Sequence, residues 1–155
     1  MRWKTRLPLK ELNSQANIFP IPSKIITHTL VILPKQLEYL DPAVDLVNEL
    51  QKEYPLWRYM MLDMDKIIGD KLNRLHLPSN GFISKLKEEN FELVIDLNPE
   101  FDYRIGYLIV MLRIPYRIYL LSDIIPFYNI NIKGNFFQVK NYKGLINYLK
   151  TIFTK

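Results

Sequence analysis

Four pairs of polar residues follow short apolar runs in this chain: Lys35 and Gln36, Asp63 and Asp65, Asp96 and Asn98, and Ser122 and Asp123. If those runs are strands of an open parallel sheet, the polar side chains stand at its carboxyl edge, where α/β folds place their ligands. A carboxylate there can accept a proton or hold a hydroxyl, an amide can orient a polar group, and a lysine can pair with an anion. The same residue types also cap helices and end strands, and for each residue taken alone capping outweighs catalysis. The sequence therefore points to a ligand cleft lined by Lys35, Gln36, Asp96 and Asn98, with no catalytic residue assigned.

Other chemistries lack their residues. The chain has no cysteine, which removes disulfides, thiolate metal sites and cysteine nucleophiles. Its five glycines, at 69, 81, 106, 134 and 144, form no G-x-G or P-loop pattern, so nothing cradles a pyrophosphate. His28 and His76 are far apart and lack the partners of a metal site or a triad; they read as a satisfied core residue and a surface residue. No G-x-S-x-G elbow is present. No cofactor and no metal are expected.

The elements that would position the cleft alternate between two periodicities. The β-branched run at 25–33, closed by Pro34, reads as a first strand, and helical spacing of Ala43, Leu46, Val47 and Leu50 follows, with Asp41 as N-cap and Pro42 at the first helical position. Residues 57–62 read as a second strand, and Ile67, Ile68, Leu72 and Leu75 suggest a helix after it. A turn at 78–81 and a short helix at 83–90 precede a third strand at 91–97. A helix at 101–112, a fourth strand at 116–121, a late or edge strand at 127–132 and an amphipathic helix at 142–153 complete the reading. Strands alternating with helices predict an α/β, Rossmann-like three-layer sandwich around a mostly parallel sheet of about five strands. Residues 1–24, with Pro8, Pro20 and Pro22, read as an irregular leader, and 25–155 as a single domain.

At 155 residues and 48% apolar composition the chain can fill one core. The net charge of +5 is spread along the sequence, apart from a small basic arm of Arg2, Lys4, Arg6 and Lys10, and no nucleic-acid-binding motif accompanies it, which argues against nucleic acid as the partner. The first twenty residues contain no apolar signal-peptide core, and the most apolar stretch, 107–121, is too short to span a bilayer and carries Arg113, Pro115 and Arg117. A cytoplasmic protein without a transmembrane segment is the expectation.

The stretch TLVILPKQLEYLDPAVDLVNELQKEYP at 29–55 is similar to the opening of glycosyltransferase family 9, the bacterial heptosyltransferases of lipopolysaccharide synthesis, with Pro42, Ala43 and Pro55 matching. FELVIDLN at 91–98 resembles that family's F-D-L-V-I-D-L strand, and PYRI at 115–118 its P-x-R-I-G strand start. The resemblance covers roughly residues 27–121 and implies the acceptor-side, N-terminal Rossmann-like half. The C-terminal part, FYNINI at 127–132 followed by YKGLINYLK at 142–150, also resembles small single-domain bacterial proteins of unknown function. Where the family carries a Gly-Asp loop whose aspartate is the expected base, this chain has Lys35-Gln36, and an amide cannot take a proton from a hydroxyl at neutral pH. The expectation is a non-catalytic domain that binds a partner protein, a second copy of itself or a sugar-like ligand. The alternative is the acceptor-side subunit of a glycosyltransferase whose donor domain is on another chain.

Overall fold

The computed structural model describes residues 19–121 and 125–155. The basic arm, Ser122 and Asp123 therefore lie outside the described residues. Among the described residues, seven strands and five α-helices follow in order: β1 (Ile21–Pro22), β2 (His28–Ile32), α1 (Leu40–Glu53), β3 (Arg58–Leu62), α2 (Asn80–Lys87), β4 (Leu93–Asp96), α3 (Tyr103–Met111), β5 (Tyr116–Tyr119), β6 (Ile130–Asn131), α4 (Phe136–Val139), α5 (Leu145–Ile152) and β7 (Phe153–Thr154). The main sheet has the order β3-β2-β4-β5-β6 and every pairing in it is parallel. The chain is thus a Rossmann-like α/β sandwich of five parallel strands.

Strand alternation sorts the side chains into two cores. Val31, Leu93, Ile95, Leu97, Ile118 and Leu120 point to one face, where they meet Ala43, Leu46, Val47 and Leu50 of α1 and Leu145 and Leu149 of α5. Leu30, Ile32, Val94 and Tyr119 point to the other, against Ile83 and Leu86 of α2 and Ile105, Leu108 and Ile109 of α3. β2 and β4 are buried over their whole length, as strands covered on both faces must be. No helix among the described residues is long and apolar enough to cross a membrane.

Several expectations shift. The segment after β3 forms no helix; its residues make two 3-10 turns, at Met64–Lys66 and Gly69–Lys71, and a bridge between Leu72 and Pro78. Of its four apolar residues only Ile67 is buried, while Ile68 and Leu75 point to solvent, so the spacing never built one face. Helix α1 begins at Leu40, with Tyr39 as N-cap, which puts Asp41 in the first turn, where its charge complements the dipole, instead of at the cap. Ile21 and Pro22, assigned by composition to the leader, pair in parallel with Phe153 and Thr154 as a second, two-stranded sheet. Ile21 and Phe153 are both at most 2% exposed, so this sheet belongs to the core.

Candidate functional site

In the order β3-β2-β4-β5-β6, the chain leaves β2 toward one side and returns through β4 on the other. The loops after β2 and β4 consequently diverge and open a crevice between them, the switch point at which open α/β sheets bind ligands. A cleft of about 370 Å³ lies there, lined by Lys35, Gln36, Asn98, Glu100, Phe101, Asp102, Tyr103 and Arg104. Three of the four residues selected from sequence line it, and the fourth, Asp96, sits directly beneath.

Asn98 holds the two loops together. Its Nδ2 donates to the Leu33 carbonyl at 3.0 Å and to Asp96 Oδ1 at 2.9 Å, while its Oδ1 accepts from the Lys35 backbone N–H at 3.0 Å. Its own backbone N–H also donates to Asp96 Oδ1 at 3.0 Å. With 2% of its surface exposed and both ends of its amide engaged, Asn98 fixes the crevice and has little to offer a ligand.

Asp96 ends β4 completely buried. Its Oδ2 accepts the Tyr128 hydroxyl, whose ring stacks on Tyr119 at 4.4 Å. Burial pushes the Asp96 carboxyl up to about 6, even though the hydrogen bonds from Tyr128 and Asn98 pull the other way. That value would suit a general base near neutrality, but both oxygens are occupied and neither reaches solvent. Asp96 is a support of the cleft floor.

The open wall is a charge cluster at the start of α3. Asp102 caps the helix by accepting the Arg104 N–H at 2.8 Å, and the Arg104 guanidinium returns to the same carboxylate at 2.8 Å. Lys35 Nζ pairs with its Oδ2. Partial burial raises the Asp102 carboxyl, but the bonds from Arg104 and Lys35 outweigh it and hold the group down at about 2. Asp65 approaches Arg104 Nη2 at 3.8 Å, the one reach of the β3 end into this cluster, whereas Asp63 accepts the Asp65 N–H and caps its own turn.

Two polar groups remain uncommitted. Among the described residues Gln36 Oε1, which is shielded from water, has no hydrogen-bond partner, and the Glu100 side chain, on an exposed residue, makes no hydrogen bond or ion pair. Phe101 and the largely exposed Tyr103 add ring surface, Phe101 stacking on Phe127 at 5.3 Å.

The histidines lie outside the cleft. His28 is buried at the opposite end of β2, with Nδ1 donating to the Glu89 carbonyl at 2.6 Å and its ring tilted on Phe91, and His76 is exposed. Among the described residues no group of three His, Cys, Asp or Glu side chains is placed to hold a metal.

Sequence reasoning missed Asp102, Arg104 and Tyr128. Asp102 was within reach, because an acid immediately before a helical pattern is an N-cap signal. Tyr128 carried none, since only tertiary packing brings it to Asp96 across 32 positions. No family model, no curated protein and no solved structure matches this chain.

Proposed function

We propose that this domain binds a polyhydroxylated, sugar-like ligand in the switch-point cleft and performs no chemistry on it. The observation that carries the reading is Gln36: an amide oxygen shielded at the cleft wall with no partner among the described residues costs free energy that a ligand hydroxyl would recover. Glu100 can accept further hydroxyls, and Phe101 and Tyr103 provide flat faces for the C–H side of a sugar ring. The state of the carboxylates supports the non-catalytic reading. Asp96 is sealed, Asp102 is held ionised by two cations, and Glu100 makes no hydrogen bond or ion pair among the described residues. A sugar-like ligand also accords with the resemblance of residues 27–121 to the acceptor half of heptosyltransferases.

The test is titration calorimetry and thermal unfolding with simple sugars, sugar phosphates and sugar nucleotides. A binder raises the melting temperature by mass action, and Gln36→Ala weakens it roughly tenfold, the value of one hydrogen bond to a buried group. Saturable binding that is indifferent to Gln36→Ala and Glu100→Ala would place the ligand elsewhere, and no binding of any of these compounds at millimolar concentration would refute the proposal.

A further inference from the structure

The two edges of the main sheet are treated differently. β6 contributes only Ile130 and Asn131 and is bracketed by Pro126 and by Lys133 and Gly134, which is how chains blunt an edge. β3 is the other edge, five residues long, with the sequence RYMML and no proline, lysine or glycine within it. The Arg58 N–H donates to the Thr27 carbonyl and the Leu62 carbonyl accepts from Leu33, so alternation turns the backbone groups of Arg58, Met60 and Leu62 toward β2. Those of Tyr59 and Met61 turn outward, and no described residue bonds to them. Met61 also exposes 49% of its surface there.

We infer that β3 pairs antiparallel with β3 of a second copy of this chain, continuing the sheet across a two-fold axis. A two-fold interface is self-complementary, and an axis perpendicular to the sheet places residues of equal parity opposite one another. With Met60 on the axis, Tyr59 lies opposite Met61 of the other copy and the two exchange both backbone bonds, so that every outward amide and carbonyl of the strand interior is satisfied. The charges favour this direction. Antiparallel pairing sets the Arg58 end of each strand beside the end of the other that runs on into Asp63 and Asp65, whereas a parallel pair would stack Arg58 on Arg58. The edge lies away from the switch-point cleft between β2 and β4, so each copy keeps its own cleft.

The absence of native cysteine makes the register directly readable. Opposed Met60 residues form a non-hydrogen-bonded pair with Cα atoms about 4.5 Å apart, within disulfide range, while the two Met61 residues are offset to roughly 8 Å, outside it. Met60→Cys is therefore expected to form a covalent dimer on mild oxidation, and Met61→Cys is not. The native chain should show twice its 18.5 kDa mass by light scattering at about 100 µM. Met61→Pro deletes an outward N–H without touching the ladder to β2, and should return the mass to the monomer with an unchanged circular dichroism spectrum. A monomeric native chain at that concentration, or crosslinking through Met61→Cys in preference to Met60→Cys, overturns the inference.

Discussion

Replacing Asp96 with asparagine isolates the energetic consequence of ending β4 on a buried carboxylate. The folded protein holds this group at about 6, against 3.8 in a solvated chain, because the ionised form is excluded from water. Between those two values the folded state binds more protons than the unfolded state, so stability falls as pH rises. The contribution is fully present below the unfolded value and is lost through the folded one. Its size is about 2 pK units, or on the order of 3 kcal/mol for the whole window and roughly 2.5 between pH 4 and pH 8. An asparagine at this position keeps the shape and an oxygen that accepts from Asn98, and its amide can donate to the Tyr128 hydroxyl, but it does not titrate. The difference in urea-unfolding free energy between Asp96→Asn and the native chain should therefore move in the variant's favour by that amount from pH 4 to pH 8, through the midpoints at unchanged slope. All other titrations cancel in the difference. A difference that stays flat across this range would refute the assignment of Asp96 as a buried, desolvated acid.

Three further outcomes follow from the same geometry. Asp102 has the opposite sign: its depressed value adds stability above the unfolded carboxylate range that disappears as pH falls toward 2, so Asp102→Asn, which can still cap α3, should flatten the acid limb of the stability profile measured by circular dichroism. Thr29 is completely buried on β2 with a hydroxyl that has no hydrogen-bond partner among the described residues, and the isosteric Thr29→Val should stabilise the protein by about 1–2 kcal/mol in urea titrations. At Gly106 in α3 a Cβ would meet the Phe101 ring at 2.9 Å and Phe127 Cγ at 3.0 Å, so Gly106→Ala should lose about 1 kcal/mol net, overpacking exceeding the gain in helix propensity, and should weaken binding of the proposed sugar-like ligand by displacing Phe101 from the cleft wall.

The sheet was legible because β2 and β4 lie in β-branched and aliphatic runs, ended by Pro34 in one case and by Asp96 and Asn98 in the other, a pattern that survives without any long-range information. The position of the cleft followed from it: Lys35, Gln36 and Asn98 converge because parallel strands deliver their carboxyl ends to one edge. What the local pattern could not supply was partnership. Asp96 reads identically whether its carboxylate faces a ligand or a tyrosine 32 residues away, and that contact, with burial and the bonds from Asn98, separates a base from a buried support. β7 was hidden within the final amphipathic helix, since Phe153 satisfies the helical period and leaves it only because Ile21 offers a strand to pair with. The residues after β3 failed in the reverse sense, apolar enough to suggest a helix but with no common face to bury.

The pairing of Ile21 with Phe153 brings the two ends of the described chain to adjacent strands. Lys155 lines a common cavity with Thr27 and Trp57, at the amino ends of β2 and β3, across the sheet from the cleft. A fusion or surface tether attached after Lys155 thus emerges at the pole remote from Gln36, leaving the crevice unobstructed. A short linker joining Phe19 to Lys155 in place of residues 1–18 would permit new termini at the exposed turn around residues 68–76, giving a circular permutant in which the order of the elements changes while the sheet does not.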